Sequence, residues 1–261
     1  MKLRDKAAIV VGGAQGIGKA IALRFSGEGA SIVLVDMDAM KSKLDEACQE
    51  IHRKGGKATA LAVDATVEKE VNRMVEETLR IYGRIDILVN SAGFRGPSVP
   101  VQEIGQDDWE KVMAVNLTAP FICSKAVLKW MIKQRSGNIV SITGVNGKEG
   151  TPLRGAVCAA KWGLLGLIRT IAVEGGPFGI RANVICPGGV SDERLKGMVE
   201  QRAAALGITP EEAEKNMLEQ TPLRKWASFE EVANAAVFLA SEDSSHTTGE
   251  SLNLSGGLVM Y

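Results

Sequence analysis

Tyrosine, histidine and paired cysteine are all scarce in this sequence. Its 261 residues hold two tyrosines, Tyr82 and Tyr261, so chemistry that needs a phenol has little to draw on. Cys48, Cys123, Cys158 and Cys186 are scattered without a Cys-x-x-Cys pair, and only His52 and His246 stand beside them. Neither a disulfide framework nor a zinc site is expected, and no metal is assigned. An excess of either charge is also absent. Lys plus Arg and Asp plus Glu both number 31, which argues against a nucleic acid or an anionic membrane surface as partner. No apolar run reads as long enough to span a bilayer, and the N-terminus lacks the long apolar core of a signal peptide. The expectation is a cytoplasmic protein whose partners are small molecules or other proteins. There is no linker and no break in composition, so residues 1–261 read as one compact domain.

What is present is organised around Lys6 to Asp36. The apolar run Ala7-Ala8-Ile9-Val10-Val11 reads as a strand covered on both faces, and it stops at Gly12-Gly13-Ala14-Gln15-Gly16-Ile17-Gly18. A helix follows, with Ile17, Ile21 and Phe25 at four-residue spacing, and then the apolar run Ile32-Val33-Leu34-Val35 ending in Asp36. Glycines at this spacing allow a tight turn and a close approach to a pyrophosphate, which would sit at the helix N-terminus. Asp36 lies at the separation from Gly18 at which a carboxylate accepts both adenosine ribose hydroxyls. Dinucleotide binding is therefore the expectation.

Strand and helix patterns keep alternating: a charged amphipathic helix over residues 40–54, a strand Ala58 to Val63, a helix Val67 to Tyr82 and a strand Ile85 to Val89. Such alternation predicts a doubly wound parallel α/β sheet, with ligand loops at the carboxyl ends of the strands. Those ends carry Asp36, Asp64, Asn90-Ser91-Ala92-Gly93, the stretch from Thr143, and Pro187-Gly188. Asp64 reads either as an adenine contact or as a loop cap.

Taken together, Gly12-x3-Gly16-x-Gly18, Asp64, Asn-Ser-Ala-Gly at 90–93, Asn116, Lys161, Pro187-Gly188 and the Gly249 to Gly257 segment resemble the short-chain dehydrogenase/reductase family over almost the whole chain. The resemblance implies a Rossmann-like seven-stranded parallel sheet with three helices on each face. It implies NAD lying along Gly12, Gly16, Ile17, Gly18, Asp36, Asp64, Ala65, Asn90, Ala92, Gly93, Lys161, Pro187, Gly188 and Val190. Thr usually precedes the paired glycine in that family; here Gly12 stands in its place.

The catalytic stretch departs further. The family uses a Tyr four residues before the Lys and a Ser thirteen residues before that Tyr, and counting back from Lys161 lands on Val157 and then Gly144. Asn116 and Lys161 remain. Val157 cannot accept a hydroxyl proton, and losing a general acid/base typically costs ~10²- to 10⁴-fold in rate. Thr143 stands beside the missing Ser, but strand alternation turns it elsewhere. Cys158 reads as a small packing residue or as a thiol with lowered pKa, and Lys161 as a holder of cofactor ribose or as a relic. Arg95 and Arg154 flank the expected cleft and suit a carboxylate or acyl phosphate. Tyr261 is read as a loose tail or as a visitor to a neighbouring subunit's site. Asp192 falls where the family's Thr would hold the nicotinamide amide.

Residues 191–222 read as a lid-like insertion of two polar helices, the second opening at Thr209-Pro210-Glu211-Glu212. A helix from about Asp107 to Gln134 is expected to expose Val112, Val115, Phe121, Val127, Trp130 and Met131, and the Lys161 helix is similarly apolar through Trp162, Leu164, Leu165, Leu167 and Ile168. In the family two such helices form a dimer interface. Three readings compete: an inactive partner subunit in a hetero-oligomer, expected to be a tetramer, with a catalytically intact short-chain subunit; a stand-alone NAD-dependent oxidoreductase with a displaced proton acceptor; and a cofactor-binding regulator.

Overall fold

The computed structural model describes all 261 residues, and its seven strands form one parallel sheet in the order β3-β2-β1-β4-β5-β6-β7. The strands are β1 Ala7–Val11, β2 Ser31–Asp36, β3 Lys57–Ala62, β4 Ile87–Asn90, β5 Gly137–Ile142, β6 Ile180–Pro187 and β7 Ser251–Leu254. The order reverses between β1 and β4. Val11 pairs with Val35 of β2 on one side and with Asn90 of β4 on the other, so the crevice opens directly above the glycine turn.

Burial on both sheet faces explains why β1 and β2 read as unbroken apolar runs: every residue of β1 is buried, alternating between the two layers. One layer packs Ala8, Val10, Ile32 and Leu34 against α1 Gly16–Gly27, α2 Lys41–Arg53 and α9 Phe229–Ala240. The other packs Ile9, Val11, Val33 and Val35 against α3 Glu68–Tyr82, α5 Ala119–Gln134 and α6 Gly155–Gly175. Each fully buried side chain of the size of Ile21 or Phe25 contributes about 1.5–3 kcal/mol of transfer free energy.

The helix expected from about Asp107 to Gln134 is interrupted. It runs as α4 Gln106–Met113, a wide π-type turn Ala114–Thr118, and then α5. Pro120 has no N–H to return to the carbonyl four residues back, and the Asn116 side chain donates to the Val112 carbonyl at 3.0 Å, so the ladder loosens there. The exposure expected of this helix also needs correction. Val112, Val127 and Met131 are fully buried within the chain, as are Leu164, Leu165 and Ile168 on α6. Of the residues expected outside, Phe121, Trp130 and Trp162 are 45%, 36% and 51% exposed.

A second correction concerns membranes. The helical stretches Gln106–Gln134 and Gly155–Phe178 are long and apolar enough to cross a bilayer by length and composition. Half of each is buried inside the chain, so packing against the sheet accounts for their apolarity. The insertion is helical as expected, with α7 Glu193–Leu206 and α8 Pro210–Glu219. Thr209 and Glu212 close a capping box at the start of α8, and Ser228 and Glu231 do the same for α9.

Candidate functional site

The glycine turn is held from three sides. Gly12 and Gly13 each donate a backbone N–H to the Val35 carbonyl, at 2.8 and 3.0 Å, and Asp36 accepts from the Ala14 N–H at 3.3 Å and from the Met37 N–H at 3.0 Å. No side chain caps α1, so its first amides, at Gly16, Ile17 and Gly18, are available to a phosphate at the helix N-terminus. The turn also approaches the β4 loop closely: a Cβ on Gly12 would lie 2.5 Å from the Ala92 nitrogen, and Gly12 has φ 80°. A threonine there would have both a strained backbone and no room. Gly12 is therefore the first glycine of Gly12-x3-Gly16-x-Gly18, and the residue standing where the family has Thr is Val11 at the end of β1, which corrects the reading of Gly12 as the substituted position.

Beyond the turn, the dinucleotide residues play unequal parts. Asp64 caps its loop through Oδ1, which accepts from the N–H and hydroxyl of Thr66 at 2.9 and 2.6 Å, while its Oδ2 remains open to an adenine amine. Ala65 packs against the α3 layer. Asn90 is buried and donates to Ser141 Oγ at 3.1 Å and to Ser124 Oγ at 3.4 Å, tying β4 to β5 and α5. Gly93 lies beside Asn116 and Lys161, since a Cβ on it would be 3.3 Å from Asn116 Oδ1 and 3.9 Å from Lys161 Nζ. At the far end Pro187 and Gly188 lead into a short bridge, where Gly189 accepts from Ala227 and Ser191 donates to Ala227, both at 2.9 Å. Val190, between them, faces the cleft. The uncapped helix start, the Asp36 carboxylate and the glycine cradle fit the adenosine and pyrophosphate of a dinucleotide. Asp192, where the family has Thr, caps α7 through Oδ1, which accepts from the Leu195 N–H at 2.8 Å.

The catalytic end is apolar where the family's pattern has hydroxyls. Gly144 has φ 86° and ψ 174°, a conformation that L side chains rarely adopt, although a Cβ there would meet nothing closer than the Pro187 oxygen at 3.6 Å. A side chain at this position would have room but would stand on a strained backbone. Val157 is half-buried on α6 and packs with Val112, Ala156 and Ala160. Asn116 accepts from the Phe94 N–H at 3.2 Å and donates to the Phe94 carbonyl at 2.7 Å, so it clamps the β4 loop to the π turn. Lys161 Nζ donates to the Ile142 carbonyl at 3.0 Å, and burial lowers its pKa to about 8.

The other candidates are accounted for locally. Thr143 is buried against Cys186, 3.1 Å away, and does not replace the serine. Cys158 is buried with its Sγ 3.6 Å from the Glu149 carbonyl and 3.7 Å from Asn146 Nδ2. Tyr82 reaches Thr59 at 3.2 Å, far from the cleft. The tail is not loose: Tyr261 donates its phenol to the Lys148 carbonyl at 3.1 Å, and Lys148 Nζ donates to the Tyr261 main-chain oxygen at 2.6 Å. This clasp pins the terminus to the loop after Gly144.

These walls enclose a cavity of about 290 Å³ that includes Gly144, Val157, Arg95 and Arg154. Arg194, Leu195 and Met198 of α7 line it too, and sequence reasoning missed them. The available signal was the Asp192 cap, which fixes the first turn of α7 and so the direction in which Arg194 emerges.

A doubly wound parallel sheet with a glycine turn and an acid after β2 defines a dinucleotide-binding protein of the dehydrogenase type. A family model described as enoyl-(acyl carrier protein) reductase matches residues 12–259. The chain belongs to the short-chain dehydrogenase/reductase family of oxidoreductases. It is 35% identical over 260 residues to the 3-oxoacyl-(acyl-carrier-protein) reductase FabG of Thermotoga maritima, covering all of both chains. It is 33% identical to glucose 1-dehydrogenase 2 of Bacillus subtilis, covering 99% of this chain and 96% of that one. Among solved structures, NAD+-bound xylitol dehydrogenase superposes with a TM-score of 0.92 at 33% identity, over 98% of this chain and 100% of that one. Membership supports a nucleotide cofactor of the NAD(P) class.

Proposed function

We propose that this chain is a catalytically silent short-chain subunit that binds NAD(H) and assembles in the cytoplasm with a catalytically intact relative. The observation that carries this reading is the lining of the cleft. No tyrosine, lysine, histidine or cysteine lines it, and its one acid, Asp192, is occupied as a helix cap. The family's Ser and Tyr positions hold Gly144 and Val157, so a substrate hydroxyl here has no proton acceptor at hand. NAD, when bound, supplies hydride acceptance; the chain's own residues supply the glycine cradle and the Asp36 carboxylate. That carboxylate repels the extra phosphate of NADP(H), and Met37 offers no compensating charge.

The assembly reading rests on the exposed aromatic face of α5 and α6, where Phe121, Trp130 and Trp162 remain uncovered. A near-copy of this chain presents self-similar helices, so one protomer of a symmetric pair can be replaced without losing the interface. Two such pairs make a hetero-tetramer. Among enzymes that join an intact and a degenerate short-chain subunit, the chain resembles the degenerate subunit of 2-[hydroxy(phenyl)methyl]succinyl-CoA dehydrogenase, a resemblance that favours a partner among NAD-dependent hydroxyacyl-CoA dehydrogenases of aromatic hydrocarbon catabolism. Co-expression with an intact short-chain subunit, followed by native mass spectrometry and activity assays, tests the proposal. A hetero-oligomer whose activity depends on this chain is expected. Homo-oligomers only, beside a partner fully active alone, would overturn it.

A further inference from the structure

Three guanidinium groups from three separate elements converge on the cleft. Arg95 comes from the loop after β4, Arg154 from the residue that precedes α6, and Arg194 from the first turn of α7, and all three line the 290 Å³ cavity. None of them takes part in any of the chain's 11 ion pairs. The one acid on the cavity wall, Asp192, is committed to the Leu195 N–H. Arg154 is half-buried, its Nη1 donates to the Arg95 carbonyl at 3.5 Å, and burial together with the Arg95 charge lowers its pKa. Holding such a group without a counter-ion costs stability, and an incoming oxyanion would relieve that cost. Beside the uncharged Thr143, Asn146 and Thr151, the wall carries an apolar part made of Ile142, Val157, Leu195 and Met198. The combination specifies both ends of a ligand.

We infer that the cleft binds a small amphiphilic anion, with a carboxylate or phosphate held by Arg154, Arg95 and Arg194 and an apolar body lying against Val157, Ile142 and Met198. This deepens the reading of a silent subunit, since a site without a proton acceptor would hold the ligand without converting it. Binding is measured on the full chain without dinucleotide, by calorimetric titration with hexanoate, hexan-1-ol and inorganic phosphate. Hexanoate is expected to saturate the chain, hexan-1-ol to bind at least about tenfold more weakly, and Arg154→Gln to raise the hexanoate Kd by roughly tenfold. Arg194→Gln gives a smaller rise and carries the test if Arg154→Gln does not fold; Arg80→Gln, on the far α3 surface, leaves the Kd unchanged. Competition by phosphate assigns a phosphate-bearing ligand, and its failure to compete assigns a carboxylate. Equal affinity for hexanoate and hexan-1-ol, a Kd indifferent to both arginine changes, or no binding of either anion would overturn the inference. Those results would leave catalytic silence standing, whereas turnover by the isolated chain would remove the silence without touching the binding measurement.

Discussion

The two ends of the cleft each carry a glycine with a positive φ, and the two glycines are held in opposite ways. Gly12 is locked: φ is 80° and a Cβ would strike the backbone of Ala92 and Ser91 at 2.5–2.9 Å. Gly144 is strained but open, with φ 86° and nothing nearer than 3.6 Å to a would-be Cβ. At the cofactor end, the turn packs tightly onto the β4 loop. At the catalytic end, Gly144 leaves free space in the cavity it shares with Val157. The proposal of a silent subunit rests on this contrast: the cofactor cradle is kept, while the positions of the family's Ser and Tyr offer no reactive side chain.

The largest effect is expected from Gly12→Thr. The new side chain must displace backbone at Ala92, so the cost is about 3 kcal/mol or more and NAD binding is lost with it. Urea denaturation beside an NAD titration reads both. A variant that keeps wild-type stability would mean that the close approach is not what selects glycine.

Next comes Lys161→Met. Burial puts the folded-state pKa near 8, against an ordinary 10.5, so between those values the unfolded chain holds the proton that the folded chain has released. Stability contributed by this group therefore rises with pH from about 8 to 10.5, and below about pH 8 the full cost of the buried charge is present. The variant should lose that rise and, after giving up the bond to the Ile142 carbonyl, gain about 2 kcal/mol at neutral pH. Difference curves of urea stability against pH for the two proteins check it. A variant less stable than the wild type at pH 7 would show that Lys161 supports the fold.

The smallest effect belongs to Gly144→Ser. With room available, the cost is backbone strain of about 1–2 kcal/mol. Because the serine would stand on a glycine-type backbone, the double variant Gly144→Ser, Val157→Tyr should still give no measurable turnover. Tenfold or greater gain in NADH formation would show that the backbone relaxes and that only two side chains separate this cleft from an active one.

Much of this comparison was legible in the sequence. The glycine turn, Asp36, the alternation of strands and helices and the start of α8 at Thr209 all follow from local patterns, since apolar runs, caps and turns act over a few residues. Gly144 and Val157 were found by counting from Lys161. The missing proton acceptor at Val157 was legible with them, whereas the positive φ at Gly144 is a property of the folded loop and has no signature in neighbouring residue types. The clasp of Lys148 on Tyr261 spans 113 residues and could not be read at all. Exposure on the long helices was misjudged for a related reason. Apolar periodicity marks which residues avoid water, but only the packed sheet shows that Val112, Val127 and Met131 do so within the chain while Phe121, Trp130 and Trp162 do not. Pro120 was in plain view, and its conflict with a continuous helix was the missed sign of the π turn.

The separation of binding from chemistry is tested most directly by giving the homogeneous chain NAD together with a panel of secondary alcohols and recording, in one preparation, the heat of NAD binding and the formation of NADH. Saturable NAD binding with no NADH above the level of a heat-inactivated sample is the predicted result. Saturable NADH formation by the pure chain would contradict it, whatever residue then proved to take the proton.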